Sequence, residues 1–195
     1  MERDRDPFKI TGLVVQFLRS RFFTGANIGN PDLKGYLWSA DDAASRILIE
    51  PAFRYKTRDV GRRPAYLVAR QQVAAEQTAL SGSRMTMMSE NRGGLTGVCY
   101  NMIVKGSHQI ACVGQTGAEA EALAIEAFYA CMEFAPVLKS EGALGRLSVD
   151  GMGPLQKIDE NQENLSVVVS LSWAYTHSWT LSQTAPILKS IIAVN

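Results

Sequence analysis

The chain has 195 residues, 46% apolar and 20% charged, which suits one globular domain with a sizeable core. No apolar run approaches ~20 residues, so no membrane span is expected, and the charged start MERDRDPF lacks the apolar stretch of a secretory signal. The net charge of +1 is unevenly spread: residues 1–100 carry 15 basic and 10 acidic side chains, and residues 101–195 carry 5 and 9. Such a split suits complementary surfaces on repeating copies of one chain. The three cysteines, Cys99, Cys112 and Cys131, show no CxxC spacing and read as buried thiols, not disulfides or a zinc site.

Asp6-Pro7 has the form of an N-cap followed by proline at the first helical position. Ile10, Leu13, Val14, Phe17 and Leu18 then mark one face of a helix. Residues 31–45 are loop-like and carry Tyr36 and Trp38. RILIE (46–50) and PAYLVAR (64–70) read as strands, joined by the basic stretch FRYKTRDVGRR. Residues 73–95 hold no period and read as a long loop, which inside a compact domain points to function or disorder. GVCYNMIV and HQIACV flank Lys105-Gly106-Ser107 and read as a hairpin.

Thr116 and Glu119 have the spacing of a capping box, opening a helix that ends near Ala135 before Pro136. Its apolar stripe is Ala120, Leu123, Ala124, Ala127, Phe128, Cys131 and Phe134, with glutamates on the remainder as a solvated face. Strands follow at 144–149 and 154–158. The last strand, LSVVVSLSWAYTHSW (165–179), puts Leu165, Val167, Val169, Leu171, Trp173, Tyr175, His177 and Trp179 on one parity and almost only small residues on the other. The order predicts an α+β fold, a mostly antiparallel sheet with two main helices on one face and a long loop insertion, in a single domain over 1–195. The large face of the last strand is expected under the helices; the small face meets solvent or lies flat against another surface.

Catalytic signatures do not emerge. His108 and His177 both fall in predicted strands away from any nucleophile turn and read as structural. The scattered thiols and two histidines make no metal set, and no GxxxxGK[ST] loop occurs. Neither an enzyme activity nor a cofactor is expected. Two other groups of residues stand out. Arg54, Lys56, Arg58, Arg62 and Arg63 could meet phosphate or a neighbouring acidic surface. Arg84, Met85, Met87, Met88 and Arg92, in the 73–95 loop, could adapt to an irregular partner.

Asn30-Pro-x-Leu33-Lys-Gly-Tyr-Leu-Trp38-Ser-x-Asp-Asp, Ile47-x-Ile49-Glu-Pro51, Gly61-Arg-Arg-Pro64-Ala, the capped helix from Thr116, and Trp173-x-Tyr175-x-x-x-Trp179 with Pro186-x-Leu-Lys189 together resemble the neck and tail-terminator (tail-completion) proteins of tailed bacteriophages. The resemblance implies an α/β subunit of a ring, six copies being the expected number. Such a ring caps the finished tail tube, meets head-completion or connector proteins above, and passes DNA through its centre without sequence reading. It further implies partners in the tail-tube protein and a sheath or collar protein, assembly in the host cytoplasm, a place in the virion, no membrane and no catalytic residues. The rivals are another neck component, such as a head-completion or collar protein, and a binding domain unrelated to phage.

Overall fold

The computed structural model describes residues 7–54, 64–76, 97–158 and 164–182. Helix α1 spans Pro7–Arg21, with Ile10, Val14, Val15 and Leu18 buried; Asp6, its expected cap, lies outside the described residues. Two short 3-10 turns, Gly25–Asn27 and Pro31–Leu33, follow it. The second is capped by Asn30, whose side chain accepts from the Asp32 N–H. Strand β1 is Leu48–Pro51, β2 is Ala65–Glu76 and β3 is Gly97–Gly114. Helix α2 is Gly117–Glu133 and α3 is Ala135–Glu141. Strands β4 (Arg146–Met152), β5 (Gln156–Lys157) and β6 (Leu165–Ser182) complete the chain's described elements.

One mostly antiparallel sheet of six strands joins them in the order β1-β2-β3-β6-β4, with β5 also on β6. β1 and β2 are parallel, Ile49 opposite Tyr66; β4 and β6 are antiparallel, Leu147 opposite Trp173. A bulge between Val149 and Gly151 leaves Asp150 without a register partner.

Burial follows the strand period. Ile49, Tyr66, Val68, Ile110, Cys112, Val167, Val169 and Leu171 form one core cluster with Val14, Val15 and Leu18 of α1 and Ala120, Leu123, Ala124, Ala127 and Cys131 of α2. Both main helices therefore share one face of the sheet. Alanines on α2 let its backbone lie close to the strands, and the Tyr66 hydroxyl, also buried, donates to the Leu123 carbonyl at 2.9 Å. Each large side chain removed from water here contributes roughly 1.5–3 kcal/mol. The second face carries a smaller cluster of Ala65, Leu67 and Val113.

The two long strands, β3 and β6, have 18 residues each, or roughly 60 Å if straight. The chain divides into two compact units, residues 1–73 with 106–174, and 74–105 with 175–195, so each long strand contributes to both. In the second unit the Lys105 ammonium pairs with the Glu76 carboxylate.

Three sequence expectations need correction. Residues 97–113 are one strand, not a hairpin. Gly106 is a site of close approach: a Cβ there would stand 2.2 Å from the Trp173 ring. The glycine lets the indole lie across β3 and makes no turn. The loop expected from residue 73 starts later, because β2 continues through Glu76; residues 77–96 lie outside the described residues. Pro136 does not end helical structure. It stands in the first turn of α3, where its missing N–H costs no hydrogen bond.

Candidate interaction surface

The buried polar groups come first, because they decide what is left for function. His108 is fully buried on β3. The Trp173 indole N–H donates to its Nδ1 at 2.8 Å, which puts its proton on Nε2, 2.8 Å from the Thr11 hydroxyl. Thr11 in turn donates to the Pro7 carbonyl at 3.3 Å. Burial, helped by the Arg70 charge, lowers the imidazole pKa to about 4. The ring is neutral, satisfied on both nitrogens, and ties α1 to β3 and β6. That is a structural histidine: its hydroxyl partner, Thr11, is itself buried and donates onward to a backbone carbonyl.

Glu126 is the second, and here the solvated-face expectation for the glutamates fails. Its side chain is only 6% exposed. It accepts from the backbone N–H groups of Gly29 and Asn30 at 3.1 and 3.0 Å and from Arg21 Nε at 3.1 Å. A buried carboxylate is tolerated when donors surround it. Here it fastens α2 to the end of α1 and to the following loop. Glu119 is engaged too: Thr116 caps its N–H at 3.2 Å, its carboxylate accepts from the Gln115 N–H at 2.6 Å, and the Tyr36 hydroxyl donates to it at 2.6 Å. The hydrogen bond to that carboxylate, then burial, raises the Tyr36 pKa. The box closes on Gln115, one residue earlier than the motif implies.

The thiols of Cys112 and Cys131 are unpaired and buried, and burial pushes Cys131 up to about 12. The small-sided face of β6 is half-buried, and Ser172 donates to Asp150 at 2.8 Å beside Ser148. Clefts of about 410 and 240 Å³ flank Arg19. Its guanidinium is held by the Ile49 carbonyl at 3.0 Å and Glu50 at 2.5 Å, and it stacks on Trp38. Among the described residues no cluster of His, Cys, Asp and Glu has the make-up of a metal site, and no helix is long and apolar enough to cross a membrane.

What remains is the outer face of α2 and α3. Glu121, Ile125, Tyr129 and Met132 fall at i, i+4, i+8 and i+11, diametrically opposite the buried row. Ile125 is 42%, Tyr129 57% and Met132 50% exposed; Val137 of α3 is 53% exposed, with exposed Glu141 four residues on. Phe134 joins the two helices and rests on Phe17, ring centroids 5.5 Å apart. The result is an apolar strip rimmed by carboxylates, on a stretch (117–141) with five acidic side chains against Lys139. Contiguous exposed apolar groups with a polar rim mark interaction surfaces.

Sequence reading missed this strip. The signal was present: a second apolar row at helical spacing beside the first makes α2 apolar on opposite sides, which one buried face does not need. Of the residues singled out beforehand, Arg54 ends a 3-10 turn, Ala52–Arg54, and is exposed, beside Phe53, which stacks edge-on against Phe8 at 6.2 Å. Lys56, Arg58, Arg62 and Arg63, and Arg84, Met85, Met87, Met88 and Arg92, lie outside the described residues. No family model matches this chain, and no curated protein matches it.

Proposed function

We propose that this chain is a structural subunit of the neck of a tailed bacteriophage. Copies of it form a closed ring, six being the expected number, that caps the tail tube and joins it to the head-side connector, with DNA passing through the centre. The exposed strip Ile125–Tyr129–Met132 carries this reading, because a lone monomer leaves that apolar area in water and an assembly removes it. Three further features support it. The α+β sheet carries both main helices on one face. The buried histidine and glutamate are spent on holding elements together. The resemblance to tail-terminator proteins runs in order from Asn30 to Lys189. Rings are head-to-tail assemblies in which one surface meets a different one, and the uneven charge of the two halves suits such a contact.

The test is location. Antibodies raised against the purified protein, applied to intact particles that carry it, are expected to label the junction of head and tail. Label along the tube, on the head, or absent from particles contradicts the proposal.

A further inference from the structure

We infer that the α2–α3 strip is the seat for the basic segment 54–63 of a second copy of this chain. The inference rests on the ring reading and gives it a specific contact.

The two surfaces match in chemistry. Segment 54–63 carries Arg54, Lys56, Arg58, Arg62 and Arg63 against Asp59, with Tyr55 and Val60 among them. The strip offers Ile125, Tyr129, Met132 and Val137 at its centre and exposed Glu121 and Glu141 at its margin, with Glu133 shared with the subunit's own Arg21. Guanidinium groups over carboxylates, with aliphatic stems and Tyr55 against apolar side chains, satisfy both parts of that surface. Glu119 and Glu126 are excluded from the contact because internal donors hold them.

The geometry favours another copy over the same one. Arg54, the one described residue of the segment, follows Phe53, which meets Phe8 at the first turn of α1. Pro64, the first described residue after it, accepts from the Leu48 N–H at 2.9 Å through its carbonyl. Nine residues between Arg54 and Pro64 can carry their backbone out and back by no more than ~17 Å. The strip is attached at the other end of α1, where Arg21 holds Glu126 and lies 3.9 Å from Glu133, ~20 Å along the helix axis from Phe8. α1 also packs on β1, at one edge of the sheet, and reaches α3 through its far end, while α2 and α3 pack on β4 at the other edge. Arg54 and Pro64, the described residues at either end of the segment, therefore stand at the β1 edge of the sheet and the strip at the β4 edge, and a contact from one edge of a copy to the other edge of the next propagates head to tail and closes a ring.

Two full-length double variants test this, with oligomer mass read by sedimentation velocity. E121K/E141K reverses the strip, and R62E/R63E reverses the segment. Each alone is expected to lose the ring, with association at least tenfold weaker and the parent's far-UV circular dichroism kept. Mixed one to one, the two are expected to restore it, because each reversed surface then meets its reversed complement in an alternating ring. The assignment is overturned if either variant alone assembles like the parent, including the case where R62E/R63E keeps the ring and loses only DNA retention, or if the mixture stays dissociated. A parent protein that is monomeric throughout sinks the ring reading itself, an outcome distinct from parent rings that ignore the charge reversals.

Discussion

His108 and Glu126 illustrate what a single buried polar residue does in this fold. His108 keeps its proton on Nε2 because Trp173 occupies Nδ1. The unfolded imidazole takes up a proton as pH falls below its ordinary 6.5, while the folded one resists until about 4. Its contribution is therefore fully present above pH 6.5 and is lost as pH falls from 6.5 to 4, a loss of about 3 kcal/mol. Urea unfolding at a series of pH values should show that slope, and His108→Gln, which cannot titrate, should remove it. Glu126→Ala leaves the Arg21 cation and two backbone N–H groups without their acceptor. It is expected to cost about 3 kcal/mol, seen as a lower denaturant midpoint with unchanged slope. Neither residue's role was legible from sequence. A histidine in a strand or a glutamate on a helix reveals its partners only once distant segments meet, 65 residues apart for His108–Trp173 and 105 for Arg21–Glu126.

Elements show a different balance. α1, α2 and β6 were legible because periodicity over many residues averages out local noise. The large parity of β6 packs into the helical core through Val167, Val169 and Leu171, as its alternation implied, but His177 of the same parity is exposed. β3 was misread because glycine has two uses, turning a chain and admitting a neighbour, and only the position of Trp173 distinguishes them. Gly106→Ala should therefore destabilise by ~1–3 kcal/mol through overpacking, measured by thermal unfolding; an unchanged melting temperature would restore the turn reading. The end of α3 has a related mismatch. Leu144 N–H bonds to the Lys139 carbonyl and Ala143 N–H to that of Ser140, at 2.9 and 3.0 Å. The left-handed position, φ +47°, falls on Ala143 although Gly142 is next to it. Ala143→Gly is expected to stabilise the protein by up to ~1 kcal/mol, since a Cβ is disfavoured there.

For the whole molecule, the fold class was readable from element order, while the interaction strip was not. Its row of Ile125, Tyr129 and Met132 lies on the side that the glutamates marked as a solvated face, and only the exposures show that this side is apolar at its centre. In the proposed ring, charge and apolar area divide the work of assembly. The exposed carboxylates set orientation and are screened over ~8–10 Å at physiological ionic strength; the apolar centre holds the contact. Rising salt should weaken the ring without abolishing it, while Tyr129→Ala should weaken it at every salt concentration, both followed by light scattering. The most direct measurement for the account is the native mass of the purified full-length protein across concentration. A single closed species at six subunits, with no ladder of open intermediates, is the predicted result. A monomer that persists to the highest concentration reached would contradict it.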